Sequence, residues 1–238
     1  MKVLNIIVLI FFGLCLGSNT STDAIKTYVL QQNSKISGLE MVSFNSQGIK
    51  IVLIDKKIEI LYLTKEHKVC LINHKNKKYY KTLIDNILDP SGQGFYRLFL
   101  EGGKELQNPQ SWIKGKTFAD TDFQGTIFTF KYNKKYNQEP NTFSDMYIAD
   151  FKNLNPQFIK LHAKVNGLPI MPNLILTINA YNNMRHLFHL IDTKSIKVEE
   201  INFNDFNLQG LNPAKSYNDF LNLTHPNNEI NDMLNLIN

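Results

Sequence analysis

The chain has 238 residues, 43% of them hydrophobic, which is enough for one sizeable core and too even in pattern to divide into two, so a single domain is expected. Twenty-six lysines and arginines against 21 aspartates and glutamates give a formal net charge of +5 and a pI near 9.0. This surplus does not mark a nucleic-acid binder, since no stacking-aromatic motif accompanies it and export would remove that partner.

Residues 1–17, MKVLNIIVLIFFGLCLG, hold one basic residue, Lys2, then about a dozen apolar residues and the small Gly17. That is the layout of a secretory signal peptide, and the run is shorter than the roughly 20 apolar residues of a membrane-spanning helix. Export to the periplasm or beyond the cell is expected, with no transmembrane segment in the mature chain. Cys15 opens the alternative of a lipid-anchored lipoprotein, although Leu14 stands where the processing motif has a small residue. Cleavage after Gly17 leaves Cys70 as the only cysteine, so no internal disulfide can form. Between Val69 and Leu71 it reads as a small buried hydrophobe rather than a nucleophile.

Residues 22–34, TDAIKTYVLQQNS, place Ile25, Tyr28 and Val29 at helical spacing behind Thr22 or Asp23 as N-cap, which predicts a short amphipathic helix. Residues 37–45 alternate as a strand into a turn at Asn45 to Gly48. From 48 to 83 apolar and polar residues alternate in runs of six to eight broken by Asp, Lys, Asn and His, the pattern of a β-meander. Ile49, Ile51 and Leu53 share one face of the first strand, and Ile58, Ile60 and Tyr62 one face of the second. In the third, either Val69 and Leu71 or Cys70 and Ile72 do so. The fourth, around Tyr79 and Tyr80, reads as shorter. Val52, Ile54, Leu61 and Leu63 add apolar groups on the opposite side, so both sheet faces should be covered, one of them by helices. Lys56, Lys57, Lys65, Lys68, Lys75, Lys77 and Lys78 fall at the turns. They read as solvated, protected sheet edges or as a weak attraction to an anionic surface such as lipid headgroups or cell-wall polymers.

Beyond Leu83 a helical turn is expected, stopped at Asp89-Pro90. Gly92-Gln93-Gly94 is a plain turn, because a phosphate loop would add Lys-Ser/Thr and a leading strand. Residues 96–100 suit a strand or a helical turn, 101–110 a loop, and Trp112, the only tryptophan, opens WIKGKTF. Residues 125–132 form a strand with Phe128, Phe130 and Tyr132 on one side; a long turn and a strand at 144–151 follow. In LNPQFIKLHAKVNGLP, Asn155 can cap, Pro156 suits the first helical position and Gly167 the stop, with Phe158, Leu161 and Val165 as the buried stripe. His162, beside Leu161, is expected to be partly exposed. Pro169 and Pro172 lead extended into NLILTINAY, and Asn182-Asn183 turns into MRHLFHLID. The strand through Ile196 and Val198 changes phase at Ile201 and Phe203, so a bulge is expected near Glu199 or Glu200. Ile230, Met233, Leu234 and Ile237 suggest a helix in a C-terminal tail beginning near residue 212.

A leading helix, a meander reading DKKIEILYLTKEHKVCLINHKNKKYY, and a late strand pair closing on Phe206 to Gly210 together resemble the exported LolA-like superfamily of periplasmic lipoprotein carriers and their relatives. Asp55-Lys56-Lys57 stands where that group often has Asp-Gly-Lys, and Phe206 to Gly210 where relatives end in Phe-x-x-Pro-x-Gly. Gln209 replaces that proline, residues 83–120 match nothing in the pattern, and Arg97 and Arg185 are the candidates for the carriers' cavity arginine. The resemblance covers about two thirds of the chain. It implies an α+β fold in which a strongly curved antiparallel sheet, an unclosed barrel, carries helices on its concave side and holds acyl chains in an apolar hollow.

No reaction is legible. His186 and His189 lie three apart in a strand and point to opposite faces, and there is no HExxH, paired cysteine or Asp-rich loop, so neither metal nor cofactor is expected. No G-x-S-x-G elbow occurs, and the acids Glu199-Glu200 and Asp145/Asp150 read as solvated. Asn19-Thr20-Ser21 and Asn222-Leu223-Thr224 fit the N-glycosylation pattern, but asparagine is about one residue in eight and such matches arise by chance. The expectation is a non-enzymatic exported protein binding a lipid or other apolar ligand, with Ile51, Ile60, Tyr62, Phe128, Phe130 and Leu176 lining the hollow. Alternation alone leaves open which face looks inward. Two alternatives stand: a structural or adhesive surface protein whose hollow is filled by its own side chains and whose basic turns meet a partner, and a secreted hydrolase.

Overall fold

The structure, a computed structural model, describes residues 25–35, 37–88, 112–119, 124–130, 144–182, 186–203 and 206–222. The segment 1–17 expected to be a signal peptide, the turn expected at Gly92, Arg97, Arg185 and the helix expected around Met233 lie outside them. The described residues form one twelve-stranded open sheet. Strand β1 (Lys26–Ser34) lies in its middle, followed on one side by β2 (Gly38–Phe44), β3 (Gly48–Leu53), β4 (Ile58–Leu63), β5 (Lys68–Asn73) and β6 (Lys78–Leu83). On its other side lie β11 (His186–Glu200), β10 (Ile175–Asn182), β9 (Ser144–Ala149), β8 (Gln124–Phe130) and β7 (Trp112–Ala119). All pairings are antiparallel except that of β12 (Asn212–Pro213), which runs parallel to β6. Among the described residues the helices are α1 (Ile84–Leu88), α2 (Pro156–Val165) and α3 (Tyr217–Leu221).

The meander repeats at ten residues, six in a strand and four in a turn, and β6 is as long as its neighbours rather than shorter. Each turn ends on a residue with positive φ: Lys57 at 55°, His67 at 53° and Lys77 at 55°. A ten-residue step carries an inward position to an outward one, as from Ile51 to Leu61, so the inward phase alternates between odd residues in β3 and β5 and even residues in β4. Leu30, Val42, Ile51, Ile60 and Leu71 stand opposite one another across five strands, and Tyr28, Phe44, Ile49, Tyr62 and Val69 form a second row beside them.

Helix α2 covers these rows. Asn155 accepts a hydrogen bond from the Gln157 amide (2.9 Å) and Pro156 opens the first turn. At the other end the Leu168 amide reaches back to the Ala163 carbonyl and the Gly167 amide to Lys164, with Gly167 at φ 60°, a Schellman stop. Phe158, Leu161 and Val165 pack on the inner rows together with Ala149, Phe151 and Leu174. Ala163 packs in a second cluster with Met146, Ile148, Ile178 and Ile191 on the β9–β11 side. The opposite face is covered by the chain after β11, where Phe203 joins Leu61 and Leu63 with Ile201 and Phe206 packed against them. The Phe203 amide donates to Gln47 (2.8 Å), and Lys81 lies over the Phe206 ring. Both faces are thus covered, one by a helix and one by extended chain.

Two expectations are corrected. Residues 26–34 are the central strand β1, not a helix, because Leu30, Gln32 and Ser34 alternate inward and the polar pair among them is satisfied inside. The leading helix that contributed to the LolA-like resemblance is therefore replaced by a strand. The irregularities of β11 fall at Lys194, where Gln31 and Gln32 face Ser195 and Thr193, and at Leu190, where Ile178 and Asn179 face Ile191 and His189. Glu199 and Glu200 pair regularly with Thr27 and Lys26; the phase change beyond them is the end of the strand.

Candidate functional site

Of the six residues expected to line a hollow, Ile51, Ile60, Tyr62 and Leu176 come together beneath α2. They are 0%, 5%, 1% and 5% exposed, so a water molecule finds almost no room beside them. The Tyr62 ring meets Phe158 of α2 edge-on at 5.8 Å, and the loss of solvent there raises the pKa of its phenol. Leu176 occupies a bulge in β10, between the pairs Ile175 with Ile148 and Thr177 with Tyr147. Phe128 is only partly buried and belongs to the β9–β11 cluster instead. Phe130 pairs through its backbone with Trp112 and Ser144, and its side chain lies outside the described residues.

A buried polar network joins α2 to the β1–β2 hairpin, and sequence reasoning missed it. His162, expected to be partly exposed, is 2% exposed, and the carboxylate of Glu40 is wholly buried. His162 Nε2 lies 2.8 Å from Gln32 Oε1. The Gln32 amide nitrogen faces the Ile175 carbonyl (3.3 Å) and the Thr193 hydroxyl (2.8 Å), which fixes Oε1 as the acceptor and puts the ring proton on Nε2. Thr193 in turn donates to the Leu176 carbonyl (2.6 Å). Glu40 Oε1 accepts from Asn166 Nδ2 (3.0 Å) and stands 3.7 Å from His162 Nε2. The Ser37 hydroxyl is 2.9 Å from both Glu40 Oε2 and Asn166 Oδ1 and donates to one at a time. Lys56 lies within the field of Glu40, which partly offsets the desolvation that lowers its pKa.

This set contains a serine, a histidine and an acid, yet the acid sits between the other two. A serine nucleophile needs the histidine at its hydroxyl and the acid behind the histidine. Ser37, Glu40 and His162 are 1%, 0% and 2% exposed, which closes the group to substrate. What the arrangement does is fix how α2 docks on the strands. Neither hydrophobic periodicity nor motif spacing could reveal it, because its members lie up to 161 residues apart in the chain.

The remaining candidates stay scattered. Among the described residues no group of three His, Cys, Asp or Glu side chains gathers where an ion could be held. His74 bonds Glu59 at 3.4 Å, His67 sits at a turn, and the side chains of His186 and His189 lie outside the described residues. Glu199 and Glu200 are exposed, and Asp145 accepts from Thr129 (3.1 Å). Cys70 is buried and its thiol is pushed up to about 12 by that burial, so it holds its proton at neutral pH. No helix among the described residues is long and apolar enough to cross a membrane. In comparisons with known proteins, no family model matches the chain and no curated protein matches it.

Proposed function

We propose that the protein is an exported, non-enzymatic binding protein whose interior is filled by its own side chains and whose surface meets its partner. The observation that carries this reading is the packing beneath α2. The four inner-face residues that would have walled a ligand site are in contact with the protein's own Phe158, Leu161 and Val165 and are at most 5% exposed. A ligand would have to displace α2, and the Gln32–His162 and Glu40–Asn166 bonds hold that helix in place. Unmaking such buried polar contacts costs on the order of 1–3 kcal/mol for each group left unsatisfied.

The second reading keeps the LolA-like architecture: a strongly curved, unclosed sheet with helices on its concave side and an acyl chain between α2 and the strands. What favours it is the breadth of the apolar layer, two rows across five strands with one ten-residue helix among its covers. Mass spectrometry of organic extracts from the purified native chain separates the two. The first reading expects no stoichiometric lipid and an unchanged melting temperature after solvent extraction; a lipid recovered at one per chain overturns it.

A further inference from the structure

The ten-residue rhythm sends successive turns to opposite ends of the sheet. The β1–β2 connection (35–37), the β3–β4 turn (54–57) and the β5–β6 turn (74–77) share one end, and 45–47, 64–67 and α1 share the other. At the first end these short segments carry five lysines and His74 against one acid, Asp55. Lys35, Lys57, Lys75 and Lys77 are exposed, whereas Lys56 lies half-buried beside Glu40. The acids nearby are engaged: Asp55 accepts from the Leu39 amide (3.1 Å), Glu59 pairs with Lys50 (3.0 Å) and His74, and Asp219 pairs with Lys78 (2.5 Å). At the opposite end Lys26, Lys65 and Lys68 are interleaved with Glu66, Asp85, Glu199 and Glu200. Turns two strands apart are about 10 Å from one another, so the basic row is about 20 Å long. Among its lysines Ile54 is 38% exposed.

We infer that this end of the sheet docks on an anionic lipid surface, the lysines sitting at the headgroups and Ile54 entering the interface between them. The inference rests on the surface-binding reading above. A row of cations around an exposed aliphatic side chain fits a membrane better than a soluble polyanion, which would leave Ile54 in water. Lysines so placed contribute roughly fivefold each to partitioning onto anionic vesicles, and salt screens the effect.

The test is sedimentation of the full chain with vesicles of phosphatidylcholine alone and with one third phosphatidylserine, at low and high salt. The ratio between the two lipid mixtures removes any contribution from the apolar residues 1–17. The wild type is expected to sediment preferentially with phosphatidylserine vesicles and to be released by salt. Combined Lys57→Ser, Lys75→Ser and Lys77→Ser lowers that preference at least 20-fold, Lys26→Ser, Lys65→Ser and Lys68→Ser leaves it within threefold, and Ile54→Ser weakens it, with folding of each variant checked by circular dichroism. Equal binding to both vesicles, equal loss in both lysine variants, or displacement of the wild type by soluble polyphosphate together with an unaltered Ile54→Ser variant overturns the inference. A stoichiometric lipid in the organic extract overturns the parent reading instead, so the two failures are told apart.

Discussion

His162 donates from Nε2 to the side-chain oxygen of Gln32 over 2.8 Å, joining the covering helix to the middle strand of the sheet. Both groups are buried, so removing either leaves the facing atom, Gln32 Oε1 or His162 Nε2, without this hydrogen bond. His162→Leu and Gln32→Leu are each expected to destabilise the fold by about 1–3 kcal/mol, and the double variant by clearly less than the sum. Urea denaturation of the four proteins in the cycle measures this; additive losses would show that the bond does not hold α2 down.

A self-filled interior responds to deletion of core volume. Ile51→Ala is expected to cost about 2–5 kcal/mol and Ile51→Val about 0.5–1.5 kcal/mol. If instead a ligand space lay against Ile51, the alanine variant would lose little stability, and the loss would fall further on addition of a fatty acid. Thermal melts with and without oleate distinguish the two outcomes.

The turn residues with positive φ make a backbone prediction. At His67, φ 53°, glycine loses no side-chain clash whereas valine gains one. His67→Gly is expected to be more stable than His67→Val by about 1–2 kcal/mol, read from their urea midpoints. Gly48 behaves in the opposite sense, since a Cβ there would lie 2.4 Å from the Tyr62 carbonyl oxygen. Gly48→Ala should therefore destabilise the β3–β4 pair, and equal stability of the two proteins would contradict that close approach.

Alkaline pH should loosen the fold through the buried thiol of Cys70 and the partly buried phenol of Tyr217. Burial raises the Cys70 thiol from 9.0 to about 12 and the Tyr217 phenol from 10.0 to about 12. The folded state holds each proton longer than the unfolded chain does, so the stabilisation is complete below pH 9.0 and is lost as pH rises through about 12. Cys70→Val should flatten the decline in melting temperature between pH 9 and 11. At the acid end the Asp219 carboxyl, held down first by its hydrogen bond from Lys78, gives a contribution lost as pH falls below 3.8 and through its lower folded value.

The meander and α2 were legible because their chemistry is local. Alternation from Ile49 to Ile72 needs only a period of two, and Asn155, Pro156 and Gly167 punctuate a helix by their own backbone preferences. β1 was not legible, because two of its inward residues are polar: Gln32 pays for burial by bonding to groups distant in sequence, and Ser34 accepts from the Ser37 amide across the turn. A hydrophobic pattern registers such positions as outward, and Tyr28 and Val29 then fall by chance at helical spacing. His162 was misplaced for the same reason: a histidine on a helix looks solvated until a buried carboxylate and amide stand opposite it. Of the six expected ligand residues, Ile51, Ile60, Tyr62 and Leu176 come together and Phe128 packs elsewhere, and alternation carries no information on whether a helix already sits there.

The even, ten-residue spacing of the meander also limits how its length can change. One added unit would exchange the inward and outward faces of the final strand and reverse its heading, so the segment at Asn212 could no longer run alongside it in the same direction. Two added units restore that heading. Growth or trimming of this half of the molecule that leaves the C-terminal docking intact is therefore restricted to steps of twenty residues.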